Sequence, residues 1–424
     1  MLWKKWLKYF FQFLFYLAIF LFALGPAAVT LNDPREQIRA YTRAEEFDYV
    51  EWTLNALAVK LGRAPLQTTG YMDREGQRQV VLDYIALIDE IRVAEAELSL
   101  IYTNPEIDSP EVMAAPVHER LEDLYNQRDE IGPLAESVLQ QMVSATVTKM
   151  GFTRLGQPLP PVMYHSTPLP WALIVSPRDR IEQTANISLA THLTLEDHIR
   201  IEDQISAELE TSTLVVPVGG VGTYPTMVAQ TTNLNWLASV VSHEWIHNYL
   251  SLRPLGVRYE ATPELRTINE TTASIAGDEI GAALIAEFFP EFVPPPPPPP
   301  PPSTDEKVSP VLPPEPPAFD FREEMYQTRI RVDELLAEVK IDEAESYMEA
   351  RRQVFWENGY LIRKLNQAYF AFHGAYADQP VGSAGEDPVG AAVRDLRGRS
   401  ASLIEFVKAV EKVKSFEQLE DLLD

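Results

Sequence analysis

Apolar positions recur along this chain with three different periods, and each predicts a different element. Residues 9–29 are a 21-residue apolar stretch whose only strongly polar member is Gln12. At 1.5 Å per residue a helix of that length reaches about 32 Å, enough to cross a hydrocarbon core of about 30 Å. Lys4, Lys5 and Lys8 precede the stretch, Asp33 and Glu36 follow it, and Trp3 and Trp6 suit an interface. The positive-inside rule then predicts a cytoplasmic tip and transmembrane anchor over residues 1–30 of a single-pass cell-membrane protein, with the rest of the chain extracytoplasmic. Pro26, Ala27 and Ala28 leave a second expectation, cleavage as a signal peptide and secretion.

Beyond the apolar stretch the period becomes helical. Residues 31–155 read as a helical N-terminal region, with helices expected over 44–61, 76–101 and 117–147. In the second of these Val80, Val81, Tyr84, Ile85, Leu87, Ile88 and Ile91 repeat at helical spacing, and Pro105 and Pro110 separate it from the third. Strand signals begin only later: Val162, Met163 and Tyr164, then residues 171–175 and 214–218, carry β-branched and aromatic residues bounded by Pro, Gly and Ser. Pro217 suits an edge strand, and the glycines at 219, 220 and 222 leave room for a close approach. Residues 156–292 therefore combine a small sheet with apolar helices, and residues 320–424 read as a helical C-terminal subdomain. The fold class expected is α+β, predominantly α-helical, preceded by the transmembrane helix.

Between those two regions, residues 293–319 read as a disordered insert that includes nine consecutive prolines at 294–302. Such a run forms neither helix nor central strand, and a polyproline II segment of that length spans about 28 Å. It serves as an exposed spacer or as a segment for a proline-recognising partner.

Candidate chemistry is concentrated in residues 243–247, His-Glu-Trp-Ile-His. On a helix His243 and His247 project from one face and can share a metal ion, with Glu244 beside them as general base. The flanking residues Val240, Val241, Ser242, Ile246, Asn248 and Tyr249 leave Glu244 as the only carboxylate of an apolar helix, which is costly without a partner. A catalytic zinc needs a third ligand. Glu270 is the best candidate, at the start of a segment of small and apolar residues that suits a buried helix, whereas Glu260 and Glu264 fall in Pro-containing, loop-like stretches. The chain has no cysteine, so a metal would be held by histidine and carboxylate alone. Its net charge of −26 argues against binding nucleic acid. His118, His165, His192 and His198 are scattered without ligand spacing.

The HExxH run followed by Asn269-Glu270 resembles the gluzincin metallopeptidases, the thermolysin and aminopeptidase type, over roughly residues 237 to 290. The resemblance implies a zincin-like core, one Zn²⁺ held by His243, His247 and Glu270, and a peptide or protein substrate hydrolysed by a metal-activated water with Glu244 as base. Members of the group commonly carry an aspartate four residues after the ligand glutamate, where this chain has Ser274. Asp278, one further turn along, is the alternative partner for a ligand imidazole. The oxyanion donor such an enzyme needs is expected among His373 and Tyr376, about one helical turn apart, with Tyr259 and Tyr224 as rivals. A zinc aminopeptidase, or an inactive membrane-tethered scaffold of the same fold, are the alternative functions.

Overall fold

The computed structural model describes residue 6 and residues 9–17, 33–63, 68–103, 107, 109–154, 156–295, 319–373 and 388–423. The chain divides into two units, Met1–Ala44 and Glu45–Asp424. In the first, residues 9–17 form helix α1 and Pro34–Thr42 forms α2, capped by the Asp33 side chain and started by Pro34. This corrects the expected fold class in one respect. No described helix is long and apolar enough to cross a membrane, and residues 18–32 lie outside the described residues. The fold is α+β and mostly helical, without a spanning helix among the described residues.

The second unit opens with α3 (Tyr49–Arg63), which starts later than its apolar pattern suggests. Residues 45–47 are used elsewhere: Phe47 N donates to Ser188 O and Ala190 N donates to Glu45 O, at 2.9 and 2.7 Å. Asp48 then caps the helix, accepting from Val50 N and Glu51 N at 2.9 Å each. Helices α4 (Arg74–Thr103) and α5 (Pro110–Lys149) form a long antiparallel pair. Tyr84, Leu87, Ile88, Ile91 and Ala94 of α4 recur at helical spacing and bury against Val117, Leu121, Leu124 and Ala135 of α5.

Two three-stranded sheets follow. Strands β2 (Trp171–Pro177), β3 (Ala185–Leu189) and β4 (Thr211–Val216) form an antiparallel sheet in the order β3-β2-β4, with α6 (Leu195–Leu209) between β3 and β4 in sequence. The other sheet has the order β1-β6-β5: β1 (Tyr164–Ser166) runs parallel to β6 (Thr226–Val228), which is antiparallel to β5 (Gly220–Val221). The outer edge of β1 is occupied by side chains of α5, since Tyr164 N donates to Gln140 Oε1 at 3.0 Å and Ser166 N to Glu136 Oε1 at 2.8 Å. Glu136 is buried, and Lys60 and His165 supply its opposite charge and hydrogen bond. Among the described strands β5 therefore holds the other edge.

Helices α7 (Leu234–Leu250) and α9 (Pro263–Phe288) are the centre of the larger core, joined by the short α8 (Pro254–Val257). Around them pack α5, the β1-β6-β5 sheet, α13 (Pro388–Arg399), α14 (Leu403–Val410) and α15 (Phe416–Glu420). A second core joins the β3-β2-β4 sheet to α10 (Phe321–Ala337), α11 (Ile341–Glu357) and α12 (Gln367–His373). Residues 320–424 thus serve both cores. The expected proline insert falls mostly outside the described residues, which stop at 295 and resume at 319.

Candidate metal centre

The site depends on how closely α7 and α9 approach. Asn233 caps α7, its Oδ1 accepting from Trp236 N at 3.0 Å, and Thr262 caps α9, its Oγ1 accepting from Leu265 N at 3.2 Å with Pro263 in the first turn. Where the helices cross, α9 presents glycine. A Cβ on Gly277 would stand 2.9 Å from His243 Cβ and from Ser239 O, and one on Gly281 would stand 2.8 Å from Ser239 N. Any larger residue would push the helices apart, and with them the groups they carry.

At this crossing His243, His247 and Glu270 form a cluster able to hold a metal ion. The two Nε2 atoms are 3.0 Å apart, and Glu270 Oε2 lies 3.5 Å from His243 Nε2 and 3.3 Å from His247 Nε2. Bonds of about 2.0–2.1 Å in tetrahedral geometry place ligand atoms about 3.3–3.4 Å apart, so the donor triangle has the right size. Glu270 Oε2 is fully buried and has no hydrogen-bond partner. Burying a carboxylate oxygen in this way is costly, and a cation among the three atoms removes that cost.

Neighbouring groups fix the orientation of two of these residues. Asn269 Oδ1 lies 2.9 Å from His247 Nδ1, so the ring donates from Nδ1 and keeps Nε2 free to ligate. Tyr259 donates its hydroxyl to Glu270 Oε1. Burial opposes a charge on His247, but Glu270 and Asn269 outweigh it and push its pKa up to about 9. For Glu270 burial acts to raise the pKa, and the two imidazoles hold it well below the usual carboxylate range. Burial pushes the Glu244 carboxyl up against the pull of His243 and His247.

Glu244 is buried one residue around α7 from the imidazoles, facing β5. A Cβ on Gly220 would lie 2.5 Å from Glu244 Oε1, and one on Gly222 would lie 3.3 Å from His247 Cβ and 3.5 Å from Glu244 Oε2. The glycine run was expected to leave room for a close approach. It lets β5 itself rest against the carboxylate, while β4, which holds most of 214–218, packs into the second core.

The other residues singled out from sequence are dispersed. Ser274 is half-buried and Asp278 exposed on α9; the partner seen on the His247 imidazole is Asn269, whose one sequence signal was its place beside Glu270. Glu260 and Glu264 are exposed. Tyr224 donates to Pro161 O at 3.2 Å. His373 ends α12 on the second core, its ring centre 4.3 Å from that of Tyr369, and burial pushes its pKa down to about 4. It is not part of the donor cluster. Tyr376 lies outside the described residues. Tyr259 is the tyrosine beside the ligands, its ring centre 6.2 Å from that of His247.

Comparison with known protein families, with curated proteins and with solved structures finds no match to this chain.

Proposed function

We propose that this protein is a zinc-dependent peptidase of gluzincin type, acting on peptide bonds through a water activated at the His243, His247 and Glu270 cluster. One observation carries the reading: three atoms able to ligate a metal converge at zinc spacing, one of them a buried carboxylate oxygen without a hydrogen-bond partner, with a second buried carboxylate, Glu244, next to His243 on α7. A zinc ion bound there supplies a Lewis acid that polarises a carbonyl and makes water a nucleophile near neutral pH.

The chain's own residues supply the rest. Glu244 takes a proton from the attacking water and delivers it to the leaving amine. Asn269 holds the His247 ring in the ligating tautomer, and Tyr259 holds Glu270 in place. Strand β5, with β6 on one side only, offers backbone groups to an extended peptide lying over Glu244, a form of strand addition that reads main chain rather than side chains.

The test is a peptide-library digestion by the zinc-loaded parent and by Glu244→Gln. The variant retains zinc but loses about 10²- to 10⁴-fold in kcat/KM, the usual contribution of a general base. Equal rates for the two proteins would remove Glu244 from the chemistry and with it the peptidase reading.

A further inference from the structure

Two described arginines have a fully buried Nε without a hydrogen-bond partner, Arg78 and Arg266. Arg78 is neutralised through its terminal nitrogens by Glu75 and Glu291. Arg266 is half-buried and makes no ion pair or side-chain hydrogen bond among the described residues. It is also poorly placed for helix stability, since it lies near the N-terminal end of α9, where the helix dipole favours anions.

Its position relates it to the metal centre. Residues 266, 270, 273, 277 and 281 run along one arc of α9. On that arc Gly281 and Gly277 abut Ser239 and His243, and Glu270 meets His243 and His247. The two helices therefore run antiparallel, and Arg266 continues the same wall by one turn, about 6 Å along the axis from Glu270. At about 3.3 Å per residue that distance corresponds to about two residues of extended peptide. A guanidinium with a buried nitrogen and no counter-charge among the described residues is completed by a carboxylate, whose two oxygens match its fork of donors.

We propose that Arg266 is a specificity-determining residue that selects peptides bearing a carboxylate about two residues from the metal centre, from either a free C-terminus or an acidic side chain. The inference rests on the peptidase reading only in taking the ligand to be a peptide.

The experiment measures binding rather than turnover. Calorimetry on the full zinc-loaded chain carrying Glu244→Gln compares three acylated peptides of one apolar sequence: a C-terminal acid, a C-terminal amide, and an amide with one residue replaced by glutamate. At least one carboxylate peptide binds about 10- to 100-fold more tightly than the neutral amide, as charge-assisted hydrogen bonds allow, and which one does so identifies the source. Arg266→Met abolishes the preference and Arg266→Lys retains part of it, at unchanged zinc content. No preference for either carboxylate peptide, a preference that persists in Arg266→Met, or no peptide binding at all would overturn the proposal. Hydrolysis by the Glu244 parent is measured in parallel. Turnover without carboxylate preference overturns the Arg266 assignment alone, and carboxylate preference without turnover overturns the peptidase reading alone.

Discussion

Glu270 Oε2 and the two Nε2 atoms direct lone pairs at one small volume, which is unfavourable until a proton or a cation enters it. Asn269 biases the outcome, because by accepting from Nδ1 it leaves His247 Nε2 facing that volume. Replacing Asn269 with alanine frees the ring to rotate and to exchange tautomers, and zinc affinity falls about 10- to 100-fold in a competition titration against a chelator. Unchanged affinity would mean that the ring is held by packing alone. His373 illustrates the opposite case, a histidine whose burial refuses a proton. Its folded pKa is about 4 and the free value is about 6.5. The unfolded chain therefore binds the extra proton between these limits, and stability falls as pH drops through that window by up to about 3 kcal/mol. His373→Phe flattens the slope of unfolding free energy against pH between 6.5 and 4, read from denaturant titrations. An unchanged slope would contradict the assignment. The pairing of His243 with His247 was legible in sequence because their spacing is local to one helix. Asn269 and Tyr259 were quoted there without these roles, since which side chain reaches which atom depends on the crossing of two helices.

At the scale of elements, the α7 and α9 crossing decides whether His243, His247 and Glu270 meet. A methyl group added at Gly277 must displace His243 or the Ser239 carbonyl, so Gly277→Ala destabilises the fold by about 1–3 kcal/mol and weakens metal binding with it. Calorimetric unfolding with and without zinc reads both effects, and a variant matching the parent in both would show that the crossing has slack. Helix periodicity located α4 well, because most of its apolar stripe buries along α5, whereas α5 starts at Pro110, seven residues before the expected start, and its far half packs into the larger core. It placed the start of α3 too early, since residues 45–47 pair with the edge of β3, a contact that no local pattern encodes. Strand β5 went unread for a related reason. Two residues of glycine and valine carry no alternation, and its position follows from the space that Gly220 leaves beside Glu244.

On the scale of the whole molecule, Glu270, the two histidines and the buried Glu244 sit on helices of the larger core rather than on loops, which favours a preorganised site. The helices α13 to α15, far along the chain, close that core against α9, while α10 to α12 complete the other one. Sequence alone grouped all six as one subdomain because the proline segment looks like a boundary. Packing divides them instead, since the apolar faces of α10 to α12 match the β3-β2-β4 sheet. The central claim is that the larger core is organised to hold zinc. It is tested most directly by elemental mass spectrometry on the folded full chain after zinc supplementation and removal of free metal, with Glu270→Ala alongside. The account requires one zinc per chain, lost or greatly weakened in the variant; a folded parent that takes up no zinc would contradict it.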